Sequence, residues 1–244
     1  MSAVACNFIG CEENLVALAG KGVLAIWNGI AAEAEADFVA WHIREHIPER
    51  VGVPGFLRGR RYVAERGQPK YFNFYETQTP DTLVSPDYVA RLNTPSDWTK
   101  SVVRHFRDTS RTICEVAASS GLGDGAFIAT LRLGTRRERA DFLGRMTELM
   151  DALSQAPSIV AIHLLEGQGG GGNGQTAEKE LRGGPDETVD WILLVEAVEM
   201  APLEAALDRH VFGEVLGEIA TGFEPTRDYG IYRFQFGLAS QQLA

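Results

Sequence analysis

The chain has 244 residues, with 33 acidic against 23 basic side chains and a formal net charge of −10. That length buries a core without metal or disulfide staples. The acidic balance excludes nucleic acid and an anionic membrane surface as general partners and favours a small-molecule ligand. Cys6, Cys11 and Cys114 match neither a zinc knuckle nor a redox C-x-x-C spacing, so they read as reduced thiols. No signal-peptide pattern opens the chain and no apolar run reaches the length of a membrane helix, which makes the cytoplasm the expected location.

Residues 1–21 are expected to form an N-terminal extension ending in a turn-like Ala19-Gly20-Lys21, before residues 23–27 read as a short buried strand. Residues 31–47 are rich in Ala and Glu, with Phe38, Trp41 and Ile43 as apolar positions, and predict a helix that Pro48 should end. Val53-Pro54-Gly55 turns into a strand over residues 56–65. Alternation there puts Phe56, Arg58, Arg60 and Tyr62 on one side and Leu57, Gly59, Arg61 and Val63 on the other. A hairpin at residues 66–69 leads to an aromatic strand over 71–76, then to helices over 85–93 and 95–106 and a strand over 112–118.

Strand, helix, strand, strand, helix, strand is the split βαβ, ferredoxin-like order. Past Gly121-Leu122-Gly123-Asp124-Gly125 the layout restarts: strand 126–133, helix 136–155, strand 158–166, a long loop, strand 189–198, helix 202–219 and strand 230–238. The expected division is therefore a first repeat over 22–120 and a second over 121–244 with a glycine-rich loop at 167–187. One such sheet with both helices on one face leaves its other face apolar, and two sheets can cover each other. Ile159-Val160-Ala161-Ile162 and Trp191-Ile192-Leu193-Leu194-Val195 are apolar on both faces, as that arrangement requires. The fold class read from the sequence is α+β, with two ferredoxin-like repeats forming a pseudo-dimeric α/β barrel.

The densest run of functional groups is residues 38–62. His42 and His46 lie one turn apart on a helix face, and a position in the last turn favours a proton on His46. Such a pair can hold a metal or supply a general base; the alternative is a solvated helix end shared with Arg44, Glu45 and Glu49. Residues 42–46 also fit H-x-x-E-H, but the helix is cut by Pro48 and no third zinc ligand is in view. Arg58, Arg60 and Arg61 are too costly to bury unpaired, so Glu45, Glu49 or Glu65 is expected to meet them unless a ligand does. Tyr62, Tyr71 and Tyr75 combine apolar area with a hydroxyl and suit a pocket wall; Trp98, Arg104 and His105 fall on the second helical region. Residues 169–176 mimic a phosphate loop, but Gln175 stands where the lysine is needed, which rules out nucleotide binding. That loop reads as a mobile segment over the barrel mouth or as disorder. His163, in an apolar strand, reads as a core histidine, with an axial haem ligand as the rival.

The repeat layout, together with F-x-x-W-H-x-x-E-H-x-P at 38–48 and P-G-F-x-R-x-R-R-Y at 54–62, resembles the dimeric α/β-barrel superfamily and within it the EthD-like proteins. The resemblance implies a barrel of two ferredoxin-like units, here carried by one chain, with a homodimer left open. Known members include cofactor-independent monooxygenases, cyclases, muconolactone-type isomerases and haem proteins, so fold alone does not deliver function. What it implies here is an enzyme without a cofactor acting on an apolar, oxygen-bearing compound. His46 would be the general base, Tyr62 or Tyr75 would orient a substrate oxygen, and Arg60 would stabilise developing negative charge. Trp41, His42, Tyr71 and Trp98 would line the ligand pocket. A non-catalytic ligand-binding or stress-associated protein is the alternative, with a haem or zinc protein behind it.

Overall fold

Apolar side chains alternate along each strand, so one set faces the opposite half of the chain and the other faces helices. The computed structural model describes residues 17–169, 174–183, 187–212 and 214–243; Cys6, Cys11, residues 170–173 and Pro185 lie outside the described residues. Its strands are β1 (Gly22–Ile30), β2 (Phe56–Gly67), β3 (Tyr71–Thr77), β4 (Phe106–Gly121), β5 (Phe127–Leu133), β6 (Ile159–Gly167), β7 (Trp191–Ala197) and β8 (Tyr229–Ala239). They close into one antiparallel barrel in the order β1-β3-β2-β8-β5-β7-β6-β4. Residues 22–121 are ordered β4-β1-β3-β2 and residues 127–239 are ordered β8-β5-β7-β6, the same arrangement in each half. The halves are joined at two seams, β2 with β8 and β4 with β6.

The barrel interior is filled by residues of both halves, among them Trp27, Tyr62, Phe72, Phe74, Leu165, Leu194 and Tyr232. Each such fully buried side chain contributes roughly 1.5–3 kcal/mol. Outside, the second half is covered by α5 (Arg139–Ser154), α7 (Met200–His210) and α8 (Glu214–Ile219). The first half is covered by α1 (Glu35–Trp41), α2 (Ile47–Val51), α3 (Pro86–Asn93) and α4 (Asp97–Val103). No helix among the described residues is long and apolar enough to cross a membrane.

Four local expectations are corrected. The first helix does not stop at Pro48. A π-helical turn, His42–His46, links α1 to α2, with the Ile47 N–H reaching back to the His42 carbonyl, and Pro48 falls in the first turn of α2, where its missing N–H is not needed. Phe106 belongs to β4 rather than to the preceding helix, because it pairs with Ile30 of β1. The stretch 202–219 is two helices, not one. Phe56 does not share a face with Arg58: a register shift between them turns Phe56 outward against Val51, Val53 and Tyr75.

Candidate functional site

The π turn closes its hydrogen bonds one residue further along the chain than an α-helix does, and it brings the Trp41, His42 and His46 rings together. The Trp41 ring lies 4.3 Å from that of His46, and the His42 and His46 rings stack at 5.3 Å with an interplanar angle of 22°. Trp41 is fixed by its Nε1–H donating to Thr99 Oγ1 at 3.1 Å. Burial, then the charges of Arg61 and Arg50, hold the His42 pKa well below 6.5; burial, then Arg50, His42 and Arg182, do the same for His46. Both rings are neutral at neutral pH. The Nδ1 atoms of both rings are enclosed and have no hydrogen-bond partner among the described residues.

His46 and Trp41 form part of the wall of a cavity of about 50 Å³ between these helices and the outer face of the first-half sheet. Leu24 and Ile26 of β1, Tyr75 of β3 and Arg111 of β4 make its floor, and Tyr88 of α3 closes one side. Tyr75 is 1% exposed and its hydroxyl has no partner among the described residues; burial raises its pKa, so it stays a donor. The ring has room because Gly59 lies opposite it in the register. Arg111 Nη2 donates to Tyr88 Oη at 3.3 Å, and among the described residues Arg111 meets no carboxylate.

The remaining wall comes from the second half. Residues 177–182 form a short helix, α6 (Ala177–Arg182), which packs across α3 and α4. Its Glu178 reaches into the cavity and accepts a hydrogen bond from Arg50 Nη2 of α2; both side chains are buried. Sequence reasoning missed Arg50, because Pro48 was read as the helix end. It missed Glu178, because the flanking glycines suggested a loop over the barrel mouth. The described part of that loop lies instead over the first-half helices. A signal was present: Thr176 caps the Lys179 N–H, acids occupy the first turn, and Gly183 ends the helix at φ 82°.

The other expected site residues lie elsewhere. Arg60 and Tyr62 point into the barrel, on the opposite face of β2 from the cavity. There Arg60 donates to Tyr62 Oη at 2.9 Å and to Glu196 Oε1 at 3.0 Å, and pairs with Glu76 at 3.1 Å and Asp124 at 3.0 Å. Arg58 pairs with Glu76 and Asp124, and Arg61 lies over the Tyr71 ring at 5.6 Å, so Glu45, Glu49 and Glu65 are not the partners of this strand. Tyr71 is buried against Phe38 and donates to Glu35 at 2.7 Å. Trp98, half-buried, donates to Asp37 at 2.9 Å. His163 faces the barrel interior as a core histidine, its Nδ1 2.7 Å from Ser119 Oγ and its Nε2 3.4 Å from Glu196, with no hydrogen-bond partner for Nε2 among the described residues. Glu45 turns from the histidine pair to Ser96 and Thr99, so H-x-x-E-H does not assemble. Among the described residues no group of three or more His, Cys, Asp or Glu is placed to hold a metal.

No protein-family profile matches the chain, and no curated protein matches it in sequence. Solved structures do match it in shape. An anthrone oxidase-like protein superposes with a TM-score of 0.63 at 12% identity, over 91% of this chain and 94% of that one. A proposed monooxygenase from Fusobacterium nucleatum gives 0.58 at 9% identity, over 91% and 96%. A proposed chlorite dismutase gives 0.55 at 10% identity, over 92% and 97%. At such identities the likeness is one of fold, and the fold is that of the dimeric α/β-barrel, ferredoxin-like proteins.

Proposed function

We propose that the protein is an enzyme that oxidises a small, largely apolar, acidic organic molecule with dioxygen and without a bound cofactor. The observation that carries this reading is the meeting, in one enclosed cavity, of a neutral histidine, His46, with the unpartnered hydroxyl of Tyr75 and the guanidinium groups of Arg50 and Arg111. A histidine kept neutral by burial and a nearby guanidinium is a weak base. It takes protons only from carbon or oxygen acids already acidified by conjugation, such as phenols, enols and benzylic ketones. Tyr75 donates to the oxygen on which charge gathers, while Arg50 and Arg111 supply a positive field in a low dielectric. The resulting carbanion passes its electrons to dioxygen; a methylene and one O₂ become a ketone and one water.

The anthrone oxidase-like neighbour supports this substrate class, and the common strand order of the halves supports a duplicated ferredoxin-like unit. The test is oxygen uptake with an anthrone that bears a ring carboxylate, 1,8-dihydroxyanthrone-3-carboxylate. Wild type accelerates it, and His46→Gln lowers the rate by about 100-fold or more. Equal rates for wild type and variant overturn the reading, and stoichiometric metal or haem in the purified protein overturns its cofactor-free part.

A further inference from the structure

Arg50 is the most buried cation of the cavity, at 2% exposure, and its fork is half filled. Nη2 donates to Glu178. Nη1 has no hydrogen-bond acceptor among the described residues, and its nearest carboxylate oxygen, on Glu49, is 3.8 Å away. The other charged wall residues, Arg111, Lys179 and Arg182, are all cations, in a chain whose net charge is −10. Among the described residues Glu178 is thus the one acid in the wall. Leu24, Ile26, Trp41 and Phe106 give the cavity an apolar side. Its volume of about 50 Å³ is too small for a ring; an engineered apolar cavity that holds benzene measures roughly 150 Å³.

We infer that Glu178 stands in the place of the ligand's own carboxylate: the ligand is an apolar, ring-bearing carboxylate that takes both arms of the Arg50 fork and displaces Glu178, with α6, from the cavity. This rests on the reading of the cavity as the functional site. The exchange puts one carboxylate in place of another, so the buried guanidinium never loses its counter-charge, which is the costly step in breaking such a pair. The bidentate geometry of the fork fits a carboxylate, and the unpartnered Tyr75 hydroxyl offers a further donor. Phosphate would fit the fork but not the apolar side. Among the described residues, the ties of α6 to the first half that must open include the Ala177 N–H to Asn93 Oδ1 bond of 3.1 Å and the packing of Leu181 on the Phe38–Trp41 cluster, beside the Glu178 contact itself.

Calorimetric titration and thermal melting of the full chain with benzoate, its neutral isostere benzamide and inorganic phosphate test this. Wild type binds benzoate in preference to both others. Glu178→Gln, with no carboxylate to displace, binds benzoate about tenfold tighter and gains nothing for benzamide. Its melting midpoint falls below that of wild type, and benzoate restores it where benzamide and phosphate do not. Benzoate also speeds tryptic cleavage after Lys179 and Arg182 in wild type. Should Glu178→Gln fail to fold, Glu178→Asp, whose shorter side chain holds Arg50 less well, shifts benzoate affinity in the same direction by a smaller factor. Equal binding of benzoate and benzamide overturns the inference, as does unchanged or weaker benzoate affinity in the Glu178 variants. These readouts need no turnover. An active enzyme that treats benzoate and benzamide alike removes the carboxylate site and leaves the oxidation, whereas benzoate selectivity without oxygen uptake does the reverse.

Discussion

Replacing Arg60 by methionine separates the barrel interior from the cavity. Arg60 is 1% exposed and faces Glu196 and Glu76, which are 0% exposed, together with Asp124. Burial raises the Glu196 pKa, but the Arg60 charge, the His163 contact and the Gly125 N–H outweigh it and bring it from 4.5 to about 2. A folded-state pKa below the unfolded one stabilises the protein above pH 4.5, and that stability is lost as pH falls from 4.5 toward 2. The shift corresponds to ~3 kcal/mol at neutral pH, in line with the roughly 3–5 kcal/mol lost when one partner of a buried pair is removed. Arg60→Met should therefore cost about 3 kcal/mol in urea unfolding at pH 7. The loss should shrink on acidification to pH 3, where Glu196 protonates in the variant at little cost. Turnover per folded molecule should be retained, since the cavity lies on the other face of β2. A cost under about 1 kcal/mol, or one that does not shrink with acidification, would refute the reasoning.

Further outcomes follow from the cavity wall. Tyr75→Phe removes a buried hydroxyl that has no partner among the described residues, so it leaves the melting midpoint unchanged or slightly raised; the oxidation rate falls by about 100-fold because an oxyanion donor is gone. Gly59→Ala places a Cβ 2.9 Å from the Tyr75 ring and 3.1 Å from Ile47, which costs about 1–3 kcal/mol in thermal or urea unfolding. His42 and His46 have folded pKa values well below 6.5. Their unfolded forms therefore bind protons first, and stability is full above pH 6.5 and declines as pH falls below it, by up to ~1.4 kcal/mol per pH unit for each ring. His42→Gln should flatten that decline in unfolding measured at pH 7.5, 6.5 and 5.5.

The barrel was legible in the sequence because its cause is local and periodic. Short apolar, aromatic or alternating runs bounded by turn residues marked all eight strands, and the two-faced apolar runs at 159–162 and 191–195 called for a covering sheet. What sequence periodicity could not carry was anything set by distant partners. Arg60 reads as a site arginine until Glu196, 136 residues away, is brought opposite it by barrel closure. One bulge between Phe56 and Arg58 reversed the face of Phe56, since side-chain direction has period two and an extra residue inverts it. Pro48 ends an ideal α-helix but not one that has passed through a π turn. Of the expected site residues, His46, Tyr75 and Trp41 do share a cavity and His42 stacks against it. Arg50 and Glu178 completed that cavity from segments that local propensity had read as a helix end and a loop.

The most direct test of the cavity as the functional site is hydrogen–deuterium exchange with 1,8-dihydroxyanthrone-3-carboxylate under nitrogen, where binding proceeds without oxidation. The account predicts altered exchange at residues 41–51, 71–77 and 174–183, around His46, Tyr75 and Glu178. Changes confined to the separate cleft lined by Arg132 and Arg227 would contradict it.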